Sequence, residues 1–141
     1  MGPRSDLSHI MTPPDQRGAW WWLKEHRFAE QGVTSAAAML DRASDDTARY
    51  LARQQLDLRL DHLEAVEDTC DEILGALREQ LPPWVADACA DRFMRGKPWA
   101  TIAAARGMSV ASVTTKCERA VHMLDKSGTP YPVPLKKPLR G

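Results

Sequence analysis

Apolar residues in this chain recur every three to four positions over long stretches and nowhere alternate with polar ones in β-branched runs, a pattern that predicts helices and no strands. The longest such stretch runs from about Thr47 to Gln80, without proline and with a single glycine, Gly75. Leu56, Leu63, Cys70 and Leu77 repeat every seven residues there, Val66 and Ile73 stand three beyond their partners, and Leu60 and Leu74 widen the seam. A seam of that kind is either a coiled-coil stalk or one long helix of an antiparallel bundle, and Arg59 interrupts it. The expectation is a homodimer joined through Leu56, Leu63, Val66, Cys70, Ile73 and Leu77.

The flanking segments are marked by breakers. Gly2-Pro3 and Pro13-Pro14 make residues 1–14 a loose leader. A short helix is expected from Asp15 to about Gln31. Trp20, Trp21, Trp22, Leu23 and Phe28 crowd it too densely to share one face, so another element, a partner or a nucleic acid must cover part of them. Gly32 is expected to stop that helix, Thr34 or Ser35 to cap the next, and Ser44-Asp45-Asp46 to provide a break or a second cap. Pro82-Pro83 ends the long helix, because a residue before proline avoids the helical region, and the domain boundary is placed there. After Gly128 come four prolines with Lys136, Lys137 and Arg140, a basic extended tail. The expected organisation is therefore a leader (1–14), a helical assembly region (15–81), a compact domain (82–127) and a tail (128–141).

Within 82–127 the punctuation is that of a helix-turn-helix. Trp99, Ile102 and Ala103 lead to Gly107-Met108-Ser109, a glycine stop followed at once by a serine N-cap, and Val113, Cys117, Ala120 and Leu124 then form one stripe. Ala103, Ala104 and Ala105 are small where two helices would cross closely. With the stripe buried, the opposite face of the helix at 110–125 presents Ala111, Ser112, Thr115, Glu118, Arg119 and His122, flanked by Thr114 and Lys116. Small polar side chains there let a helix settle into a major groove. The candidate DNA-binding residues are Ser109, Ala111, Ser112, Thr114, Thr115, Lys116 and Arg119, with Lys97 and Thr101 ahead of them.

The residues that carry this punctuation, from Leu81-Pro82 through Arg92-Phe93, Gly96-Lys97-Pro98-Trp99, Ile102-Ala103, Gly107-Met108-Ser109 and Val113 to Arg119-Ala120 and Leu124, resemble region 4 of sigma-70 family factors. They are more similar still to the C-terminal part of phage transcriptional regulators of the RinA/ArpU type. The resemblance covers about a third of the chain. It implies promoter or operator binding through the second helix of that segment. With the periodicity ahead of it, the expected fold is all-α, long N-terminal helices followed by a C-terminal three-helix helix-turn-helix domain. The outward face departs from strong base readers in having, besides Arg119 and Lys116, none of the Arg, Gln and Asn side chains that bond base edges in pairs. A phage terminase's DNA-recognition subunit, and an interaction module that binds RNA polymerase without DNA, are alternative readings of the same helices.

Charge supports the DNA reading. The chain of 141 residues has a formal net charge of zero, yet residues 1–83 hold 9 Lys+Arg against 15 Asp+Glu, while 84–141 hold 10 against 4. Local positive charge is what phosphate attraction requires, and it coincides with the motif. Asp41, Asp45, Asp46, Asp61, Glu64, Glu67, Asp68, Asp71 and Glu72 suit a solvated helix face. Cys70, Cys89 and Cys117 are single and widely spaced, and His9, His26, His62 and His122 form no ligand pair, so neither a disulfide framework nor a metal site is expected. No phosphate loop or catalytic constellation is visible, which argues against an enzyme and calls for no cofactor. No apolar run reaches the length of a membrane span, no signal peptide is visible, and a cytoplasmic location is expected.

Overall fold

The computed structural model describes His9 and residues 11–132, which are helical with no strand among them. A 3-10 turn (Pro14–Gln16) leads into α1 (Ala19–Arg42). Then follow α2 (Asp46–Gln80), α3 (Pro83–Cys89), a π-helical turn (Ala90–Met94), α4 (Trp99–Arg106) and α5 (Val110–Ser127). The rest of the leader, and Lys136, Lys137 and Arg140 of the tail, lie outside the described residues.

The long antiparallel hairpin of α1 and α2 arises from two caps. Asp45 accepts a hydrogen bond from the Ala48 amide at 2.7 Å, satisfying an orphan donor at the start of α2. At the other end Leu81 turns extended ahead of Pro82, as the proline pair requires. Gly32, by contrast, does not stop α1, which runs unbroken past Thr34 and Ser35 to Arg42. Arg59 of α2 is drawn across Gly32, its Cδ 3.3 Å from where a Cβ would stand. The close approach uses the missing side chain, and packing offsets the cost of about 1 kcal/mol that glycine brings to a helix interior.

The seam on α2 is spent within the chain. Val66, Cys70, Ile73 and Leu77 are fully buried in one apolar cluster that also holds Ala19 and Leu23 of α1, Val85, Ala86 and Cys89 of α3, Ile102 and Ala103 of α4, and Val113, Cys117, Ala120 and Leu124 of α5. This corrects the expectation that the seam faces a second copy. α1 folds back along α2 and the C-terminal helices close over its end, so these four are core residues, while Leu56 and Leu63 stay half-buried. Complete burial of a side chain such as Ile73 or Leu77 is worth about 1.5–3 kcal/mol. The boundary at Pro82 is likewise a bend within one core, since residues on both sides of it share that cluster.

His9 and Tyr131, in the two segments expected to be loose, are each held against the fold. His9 is buried, stacks on Trp21 with ring centroids 4.6 Å apart, and meets Glu25 Oε1 at 2.7 Å through Nε2. Tyr131 is buried after α5, and its carbonyl accepts from the Trp22 indole N–H at 3.0 Å. The tryptophan cluster is thus covered from within: Trp21 donates to the His9 carbonyl at 2.8 Å, and Trp20 meets the edge of Phe93 at 5.5 Å. Ala104 and Ala105 are exposed, and Ala103 alone of the three packs inward. The helix wheel places one alanine of a consecutive trio on the buried face.

Candidate nucleic-acid interface

Gly107 ends α4 in the left-handed conformation, φ 66°, where its amide closes on the Ala103 and Ala104 carbonyls. Two residues later the Ser109 hydroxyl accepts from the Ser112 amide at 3.1 Å and starts α5. The turn is thereby set by one left-handed glycine and one side-chain cap. α5 buries Val113, Cys117, Ala120, Val121 and Leu124 and leaves the opposite strip open.

On that strip Ala111, Ser112, Thr115, Lys116 and Arg119 are exposed, and Ser109 and Thr101 lie at the exposed starts of α5 and α4. Ser109 is committed to the cap, which leaves its hydroxyl less free to reach outward. Thr114 is a correction. Its hydroxyl oxygen is buried and meets no hydrogen-bond partner among the described residues, so it points into the protein rather than toward a groove. At 100° per residue it lies beside Cys117 and Val121, nearer the core than the solvent side.

Lys116 and Arg119 enter no ion pair among the described residues, whereas the cations nearer α4 are engaged. Lys97 Nζ lies 3.5 Å from Asp91 Oδ1, and Arg95 reaches the same oxygen at 2.6 Å. Arg106 sits 3.9 Å from Asp87. Arg92 donates to the Lys97 carbonyl at 3.3 Å with its guanidinium 5.3 Å from the Trp99 ring centre, a cation–π arrangement that stiffens the turn before α4. Exposed pairs of this sort contribute little to stability, so these cations can exchange a carboxylate for a phosphate at small cost.

The strip has walls that the motif did not reveal. Trp20 of α1 borders one side with Thr115, Glu118 and His122. Leu81, Pro82 and Trp84 border the other with Lys116, Arg119 and Met123. The link that brings α1 there is Asp125, whose Oδ1 accepts from the Ala19 amide at 2.6 Å and so caps α1 from α5, 106 residues away. Gly18 leaves room for it, since a Cβ at that position would run into Asp125 Oδ1. A sequence-local search cannot pair a cap with a helix so distant, although the absence of Ser, Thr, Asp or Asn before Ala19 hinted that α1 needed one.

The three thiols belong to the core. Cys70 donates to the Trp22 carbonyl, and its pKa is pushed up to about 12 by burial, with Asp71 and Glu67 adding to the rise. Cys89 is held above the ordinary thiol range by its hydrogen bond to Cys117 and by burial. Cys70 and Cys89 are therefore neutral at pH 7 and poor nucleophiles or ligands, whereas the same hydrogen bond from Cys89 shifts Cys117 the other way, below the ordinary thiol range, against the effect of its burial.

Among the described residues no group of three or more His, Cys, Asp or Glu is arranged to hold a metal ion, and no helix is long and apolar enough to cross a membrane. No family model, curated protein or solved structure matches the chain.

Proposed function

We propose that this protein binds duplex DNA through α5 and acts as a transcription regulator. One observation carries the reading: a helix started by a capped turn presents a strip of small and polar side chains, Ala111, Ser112, Thr115 and Arg119, with Lys116, which enters no ion pair among the described residues, at its margin. Small side chains let the helix backbone approach the floor of a major groove. Arg119 is long enough to reach a guanine edge and Lys116 to reach a phosphate strand. Thr101, Lys97 and the first amides of α4 suit a phosphate on the neighbouring strand, where the helix dipole adds to the attraction. The excess of cations in residues 84–141 supplies the long-range field. The resemblance to sigma-70 region 4 and to RinA/ArpU-type regulators makes promoters or operators of phage or mobile-element genes the target class.

Selection of bound sequences from random duplex DNA by the full chain, followed by gel shift over a salt series, tests the proposal. Enrichment of a short motif, with affinity falling steeply as salt rises, is the expected result. Failure of the folded protein to shift any duplex at low salt refutes it.

A further inference from the structure

The hairpin of α1 and α2 outruns the core. On its distal half Ala36 and Ala52 are buried between the two helices, while Met39, Leu51 and Leu58 remain 53%, 55% and 61% exposed. Two helices can cover only the faces they turn to each other, so a second apolar face is left over.

At about 100° per residue, Leu51, Leu58 and Ala65 fall on one strip of α2, with Thr47, Gln54 and Gln55 alongside and His62 at its edge toward α1. The charged Arg49, Arg53, Asp57 and Glu64 project from the other flank, and Asp61 stands at the margin. Two histidine–glutamate contacts fix which side of the hairpin this is. His62 bonds Glu25 of α1 at 2.7 Å on the side of the strip, whereas His26 of α1 meets Glu67 at 3.3 Å on the opposite side. On the first side α1 contributes Gly32, Ser35 and Met39, all uncharged, with the Arg59 side chain laid across Gly32.

We propose that a second copy of this chain covers this face, α2 crossing its counterpart antiparallel about a two-fold axis at Leu58. The strip is self-complementary in that arrangement. Leu51 and Ala65 lie seven residues to either side of Leu58, so a two-fold there sets each Leu51 against the other copy's Ala65, large against small, and Leu58 against itself. The area suffices. From Thr47 to Ala65 the face is about 27 Å long and two helices wide, about 20 Å, hence on the order of 500 Å² per copy and 1,000 Å² in all, at the threshold for a specific interface. The surface differs from the buried Val66–Leu77 seam, and the proposal stands independently of DNA binding.

Sedimentation equilibrium of the full chain is expected to give a dimer. Leu58→Glu should raise the dimer dissociation constant by about 100-fold or more at unchanged helicity, because two carboxylates meet at the axis. Leu60→Glu, on the opposite flank and 45% exposed, should leave the dimer intact. Leu58→Cys, oxidised with copper phenanthroline, should cross-link as a dimer through the new thiol, since Cys70, Cys89 and Cys117 are buried. A wild-type monomer, or a dimer untouched by Leu58→Glu and not cross-linked at Leu58→Cys, overturns the proposal.

Discussion

The bond from Asp125 to the Ala19 amide decides how α1 is held against α5, and replacing it should be costly in a graded way. Asp125→Ala removes the acceptor from a part-buried amide at a helix start that no neighbouring side chain caps. Loss of an N-cap costs about 0.5–2 kcal/mol, and loss of the negative charge at the positive end of the α1 dipole adds about 0.3–1 kcal/mol. The expected total is about 1–3 kcal/mol. Asp125→Asn keeps an acceptor of the same shape and should lose only the dipole part, about 0.3–1 kcal/mol. Gly18→Ala should approach the Asp125→Ala value by pushing the carboxylate aside. Urea unfolding followed by circular dichroism measures all three. With a slope of about 2 kcal/mol per M, 2 kcal/mol moves the midpoint by about 1 M. Equal midpoints for Asp125→Ala and the wild type, or an Asn variant as unstable as the Ala variant, would refute the cross-chain cap.

The shared core predicts that residues 84–141 do not fold alone, for Val85, Ala86 and Leu124 lose the cover of Leu23, Ile73 and Leu77. A flat amide proton spectrum checks this, and a dispersed one would sink it. Alkali should destabilise the protein through Cys70. Its folded pKa lies above the unfolded value of about 9, so its contribution is whole below pH 9 and is lost as pH rises toward 12. The loss amounts to as much as about 4 kcal/mol. Cys70→Ala should flatten that limb in stability measured from pH 8 to pH 11, and an unchanged limb contradicts the assignment. On the proposed reading helix, Arg119→Ala should cost about 1–3 kcal/mol of affinity and relax preference at one base pair. Lys116→Ala should instead weaken all duplexes alike and lower the salt slope by about one unit. Equal, sequence-independent losses in gel shifts would make Arg119 a phosphate contact only.

What the sequence made legible was periodic or capped. The seven-residue spacing on α2, the Asp45 cap, the proline bend and the Gly107–Ser109 turn are all local signals, and each specifies backbone within a few residues of itself. Gly32 was misleading for a physical reason. A glycine in a helical pattern reads as a stop by propensity, yet here it makes room for Arg59, a partner 27 positions away that no window contains. The fate of the α2 seam was illegible in the same way. Periodicity shows that an apolar stripe must be covered, and it is silent on whether α1 of the same chain or α2 of another does the covering.

At the candidate interface the division falls along the same line. Wheel geometry correctly exposed Ala111, Ser112, Thr115, Lys116 and Arg119, because α5 is long and its buried stripe unambiguous. The exception is Thr114, expected to reach the groove from the margin of the strip: it lies close to the boundary between faces, on its buried side, where packing of neighbouring helices decides whether the hydroxyl reaches solvent. The walls formed by Trp20 and Trp84 come from α1 and α3, so their place beside α5 follows from the Asp125 bond and the shared core instead of from the motif. A helix-turn-helix read from sequence is therefore a statement about two helices and a turn. The shape of the surface that meets a ligand is set by what packs against them, and in this chain that is a helix whose first turn is capped from the far end of the fold.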